Sequence, residues 1–102
     1  MSEFWQRLLG IERSPGAEMV GDTIEEQTRQ VLDNLEAILT EAGTGLDRIV
    51  KTTVFLQSLD DFQGMNSVYA ERVGETPPAR STIEVAGLPS GALVEIEAIA
   101  LA

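Results

Sequence analysis

Residues 77–102 read PPARSTIEVAGLPSGALVEIEAIALA. The Pro77-Pro78 pair forces an extended chain into "ARSTIEVA", which reads as a strand, and "GLPSG" turns the chain into a last strand from Ala92 to Leu101. In that last strand Val94, Ile96 and Ala98 alternate with Leu93, Ile99 and Leu101, so apolar groups fall on both sides. A sheet containing it needs cover on both faces.

The chain before this stretch supplies the cover for one face. "SLDDFQGMNSVYAERVG" predicts a helix capped near Ser58 or Asp60, with Phe62, Met65 and Tyr69 on one side; Gly64 weakens its first turn. "IVKTTVFL", from Ile49 to Leu56, is β-branched and aromatic, hence a strand. The strongest helix signal is "GDTIEEQTRQVLDNLEAILTEAG". Thr23 with Glu26 three residues later makes a capping box, acidic residues crowd the first turn and Gly43 stops it. Ile24, Val31, Leu35 and Ile38, joined by Leu32 and Leu39, form a stripe broad enough to cover a sheet. Strands separated by a helix of this length are expected to be parallel with a right-handed crossover, and the last two, joined by a short Gly/Pro turn, antiparallel. The expected class is therefore α+β: a mixed β-sheet with two helices on one face, in a single domain spanning residues 1–102. Other subunits are the expected cover for the second face, so the chain should not be a monomer.

Composition bounds the chemistry. The 102 residues include no cysteine and no histidine, which removes the thiol nucleophile, the commonest metal ligand and the usual neutral-pH base. Carboxylates, hydroxyls, arginine, backbone groups and water remain, and neither a metal nor an organic cofactor is expected. Seven basic residues against seventeen acidic ones give a formal charge of -10, which repels phosphate backbones and anionic membranes. Nucleic acid and membrane are not expected partners. No segment approaches the roughly 18 apolar residues of a membrane span, and the start resembles no secretory signal, so the cytoplasm is the expected location.

Four polar residues stand out in this background. Arg80 stands in the otherwise uncharged entry to a strand, and an arginine there is either a structural ion-pair partner or the bidentate anchor of a substrate carboxylate. Composition alone favours the ion pair, because unpaired buried charge is costly and seventeen acids are available. Glu95 and Glu97, two residues apart, share a face of the last strand. They read as solvent-facing or ion-paired, with a carboxylate that orients or deprotonates water as the functional alternative. Asn66, on the second helix, reads as a surface or capping group.

"GDTIEEQTRQVLDNLEAIL", "IVKTTVFLQSLDDFQGMNSVYAERVGETPPARSTIEVAGLP" and "ALVEIEAIALA" together resemble the RidA/YjgF family of enamine and imine deaminases, from about Ala17 to Ala102. "PPARSTIEV" and "VEIEAIAL" are the family's signature region. The resemblance implies a chorismate-mutase-like subunit assembled as a homotrimer, with pockets in the clefts between subunits. It also implies that Arg80 binds the carboxylate of a 2-imino or 2-enamino acid, that Glu95 helps hold the hydrolytic water, and that Asn66 lines the cleft. This inverts the balance for Arg80. The family often has a cysteine where Thr82 stands and an arginine where Gly87 stands; neither change removes the anchor. Thr82 reads as a packing residue, since no general base for it is evident.

The resemblance fails over residues 1–16. Family members begin with a two-stranded hairpin whose Tyr and Ser reach the pocket, and neither has a counterpart here, since Tyr69 sits in the second helix and Ser14 in a loop. "MSEFWQRLLGI" stands instead. Read as a helix behind a Ser2 cap, it places Phe4, Trp5, Leu8 and Leu9 on one face; read as a strand, Trp5, Leu9 and Ile11 share a side that Arg7 interrupts. The helix is the expectation, docked over the sheet surface or edge that a missing hairpin would leave bare. Two functions follow: hydrolytic deamination of 2-imino or 2-enamino acids to 2-oxo acids and ammonia, or a non-catalytic module for small carboxylates or a partner protein.

Overall fold

The computed structural model describes the backbone of residues 3–9 and, with side chains, residues 21–74 and 77–101. The elements run β1 (Glu3–Leu9), α1 (Ile24–Glu41), β2 (Ile49–Leu56), α2 (Phe62–Val73), β3 (Ala79–Glu84) and β4 (Val94–Leu101).

Helix α1 begins and ends where its sequence signals stand. The Thr23 hydroxyl accepts from the Glu26 N–H at 3.1 Å and donates to Glu26 Oε1 at 2.9 Å. At the other end Gly43 adopts φ +82°, and the N–H groups of Gly43 and Thr44 close back on the carbonyls of Thr40 and Leu39. That left-handed turn favours glycine and satisfies carbonyls the helix itself leaves open. Ile24, Val31, Leu32, Leu35 and Leu39 are buried, and Ile38 packs at the margin of the core. Ahead of α2, the Ser58 hydroxyl accepts from the Asp60 N–H in a short 3-10 turn, Leu59–Asp61. Gly64 has a packing reason. A Cβ there would stand 2.5 Å from Ile24 Cγ2 and 2.8 Å from Glu25 Oε2, so its absence lets the two helices approach. Arg72 of α2 completes the contact with Asp33 at 2.7 Å and Glu36 at 3.2 Å on α1.

The sheet order is β1-β4-β2-β3. Strands β2 and β3, joined through α2, are parallel as expected, and β4 is antiparallel to β2. Strands β3 and β4 run in opposite directions as expected, yet they are not neighbours, because β2 lies between them. Gln57 shapes their connection. Its Oε1 accepts from the Leu88 N–H at 3.1 Å, and its backbone N–H donates to the Leu93 carbonyl. Between β2 and β4 the register slips at Ile49/Lys51, a bulge that leaves Val50 outside the pairing and exposed.

The helical expectation for the first residues is overturned. Glu3–Leu9 is a strand, paired antiparallel with β4 from Glu3↔Leu101 to Leu9↔Glu95. A helix of about nine residues is marginal alone, whereas an extended segment satisfies the backbone groups that the β4 edge would otherwise leave open. In this register Arg7 stands opposite Glu97, and the backbone pairing continues past it to Leu9. The segment covers the sheet's edge, as the sequence suggested, in a different conformation. The Ser2 cap and the loop placement of Ser14 lie outside the described residues.

Register divides the sheet into two faces. Thr52, Val54 and Leu56 of β2 share a face with Val94, Ile96, Ala98 and Ala100 of β4, and both helices pack there. Lys51, Thr53, Phe55, Ser81, Ile83, Ile99 and Leu101 line the opposite face, which no described helix covers.

Candidate functional site

Arg80 sits on the helix face near the start of β3, in register with Thr52. Helix α2 presents Phe62, Asn66 and Tyr69 to it, residues four and three apart that share one side of a helix. The guanidinium carbon lies 4.8 Å from the centre of the Tyr69 ring and 5.3 Å from that of Phe62. Such contacts hold a cation by the negative faces of the rings. Arg80 Nη1 donates to Asn66 Oδ1 at 2.6 Å. Tyr69 is itself fixed from below, its hydroxyl 2.6 Å from the buried Thr52 Oγ1.

What Arg80 lacks matters as much. Among the described residues no carboxylate pairs with it, in contrast to Arg72 on the same helix-covered side, which holds two. Its described hydrogen bond uses Nη1 and goes to a neutral amide, so Nη2 and Nε remain as a donor pair of the geometry a carboxylate accepts. Arg80 opens onto a groove of about 360 Å³ lined by Asn66, Tyr69, Ala70, Val73, Gly74, Pro77, Pro78 and Arg80 itself. That lies at the low end of the range for small-molecule sites.

The expected acids sit elsewhere. Glu84 accepts from the Leu59 N–H at 2.8 Å, which ties the end of β3 to the start of the α2 region. Glu95 is buried, beside Phe55 in the register and therefore on the face opposite Arg80. A single chain thus brings Asn66 and Arg80 together but keeps Glu95 on the far side of the sheet. Thr82 shares Arg80's face, and its hydroxyl oxygen is buried without a hydrogen-bond partner among the described residues. The aromatic clamp went unread in the sequence, although the spacing of Phe62, Asn66 and Tyr69 carries it; Tyr69 looked like core, and it is core, with its ring edge of the site as a second use. Gln27 was also missed. Buried in α1, it accepts from the Leu93 N–H at 2.8 Å and so anchors the approach to β4, and no sequence signal separates it from a surface glutamine.

Residues 9–102 match the family model described as Endoribonuclease L-PSP. A RutC family protein of Pyrococcus horikoshii is 53% identical over 83 residues, covering 81% of this chain and 66% of that protein. Reactive Intermediate Deaminase A of the Arabidopsis thaliana chloroplast is 42% identical over 97 residues, 95% of this chain and 51% of its own length. The chain therefore spans only one half to two thirds of these relatives. Among solved structures, Escherichia coli TdcF with bound serine superposes with a TM-score of 0.87 at 33% identity, covering 99% of this chain and 81% of that one. Fold, the "PPARSTIEV" and "VEIEAIAL" strands that carry Arg80 and Glu95, and these likenesses agree: the chain belongs to the RidA/YjgF family.

Proposed function

We propose that the chain is a hydrolytic deaminase that converts reactive 2-imino and 2-enamino acids to 2-oxo acids and ammonia. One observation carries the reading: a half-buried Arg80, held by two rings and an amide, faces a small groove with donors to spare and no described carboxylate partner. Such an arginine fixes a substrate carboxylate in one orientation. Asn66 orients the guanidinium through its carbonyl oxygen and keeps its amide N–H groups for the ligand. Water adds to the imine carbon, the C–N bond breaks, and the nitrogen leaves as ammonia. Glu95 positions that water. Because it lies across the sheet from Arg80, the Glu95 that serves one groove belongs to an adjoining copy of the chain, in a closed homo-oligomer with a trimer as first choice. The sheet face without a described helix supports such an assembly, and the bound serine of TdcF supports a pocket for small carboxylates. The charge of -10 weighs against RNA as substrate. The chemistry calls on no cofactor, and the cytoplasm is the proposed location; among the described residues no helix is long and apolar enough to cross a membrane.

The placement of Glu95 also favours a second reading, a carboxylate-binding module without turnover, since one chain by itself holds an anchor and no acid beside it. Mixing decides between them. Ammonia release from 2-iminopropanoate, generated in situ, should fall to background for Arg80→Ala and by about a hundredfold or more for Glu95→Gln. Refolding the two variants together should restore part of the activity, because some clefts then hold an intact Arg80 and an intact Glu95. Wild-type rates at background would leave the binding module, and absence of restoration would place both residues in one chain's site.

A further inference from the structure

The hydrogen bond beneath the site is not explained by packing. Thr52 is 1% exposed and Tyr69 3%, and their hydroxyl oxygens lie 2.6 Å apart between the sheet and α2. Valine and phenylalanine would fill the same space without a polar atom, and replacing both partners of a buried hydrogen bond by apolar groups of the same shape is close to neutral for folding. Folding alone does not require the pair. Thr52 stands in register with Arg80 on the neighbouring strand, and Tyr69 spans the two: its hydroxyl meets Thr52, and its ring centre lies 4.8 Å from the guanidinium carbon. The Phe62 ring, 5.3 Å from that carbon and half-buried, has no polar atom by which to be tied.

We propose that Thr52 is a positioning residue for the carboxylate anchor: through Tyr69 it fixes the ring on which the Arg80 guanidinium rests, and so aims the donors that Asn66 leaves free. The inference rests on the reading of Arg80 as that anchor and adds the residue that sets its direction. Asn66 holds one corner of the guanidinium, at Nη1, and one hydrogen bond lets a long side chain pivot about it. A ring tied at its far end supplies a second, fixed surface. Thr52 is buried and does not line the groove, so its effect passes through the ring.

The double variant Thr52→Val/Tyr69→Phe tests this, because it keeps the shapes and removes both hydroxyls. Its melting temperature should be no lower than that of the wild type, whereas calorimetric titration with 2-oxobutanoate should show affinity about three- to tenfold weaker, the worth of one hydrogen bond. Either single variant leaves a lone buried hydroxyl and should lower both. Thr52→Ser, which keeps the hydroxyl, should recover the wild-type affinity. In ammonia release the loss should fall on KM and leave kcat nearly unchanged, because a carboxylate contact serves substrate and transition state alike. Wild-type affinity in the double variant, with Arg80→Ala still abolishing binding, would overturn the role of Thr52 and leave the anchor in place. Affinity indifferent to Arg80→Ala would overturn both.

Discussion

The two faces of the sheet are built from the same strands and differ in what they ask of their neighbours. On the helix face, Val54, Leu56, Val94 and Ile96 are fully buried against α1 and α2, and a single chain completes that core. On the other face, Ile83 remains 44% exposed opposite Phe55 in the parallel register, and Lys51 and Ser81 share that face. Alternation in β4 delivers apolar groups to both sides, but the described helices lie on one. Arg80 opens on the completed side and the buried Glu95 lies on the other, so the division between the two faces also separates the two groups the proposed chemistry needs.

Mutations on the two faces should therefore behave differently. The largest loss of folding stability is expected from Ile96→Ala, which leaves a cavity in a site with no exposure and should cost about 2–5 kcal/mol in urea unfolding. A cost comparable to that of an exposed residue would mean that the helix face is not the core. Gly64→Ala should come next. The helix gains propensity, yet the new Cβ meets Ile24 Cγ2 at 2.5 Å, so a net loss of about 1–2 kcal/mol is expected. A gain in melting temperature would show that α1 and α2 separate freely. Thr23→Ala removes the α1 cap and should cost about 1 kcal/mol, visible as fraying of the first turn in amide exchange. The smallest effect on folding belongs to the bare face, where Ile83→Lys should stay within about 0.5 kcal/mol of wild type. The same variant should lower the mass measured by light scattering, since it sets a charge in the proposed subunit contact; an unchanged mass would move that contact elsewhere.

Much of this architecture was legible. Thr23, Glu26 and Gly43 bound α1 because capping is local: each signal acts within one turn of the chain. The strand at Ile49–Leu56 and the alternation in β4 were equally plain. Residues 3–9 were misread for a physical reason. A short apolar segment containing Arg7 fits either period, and what decides it is an open edge on β4, 86 to 98 residues away in sequence. Gly64 looked like a flaw in α2 until the approach of Ile24 explained it.

For the site, the residue types and the motif around Arg80 were determined by the sequence, as were the cysteine-free, histidine-free chemistry and the strong negative charge. Local spacing also fixed Phe62, Asn66 and Tyr69 on one side of a helix. That this side meets Arg80 rather than a carboxylate, and that Glu95 points away from both, only the tertiary structure decided. Periodicity assigns side chains to faces within an element. Which faces meet depends on strand order and register, and these are set by pairings between segments far apart in the chain, where no local preference reaches.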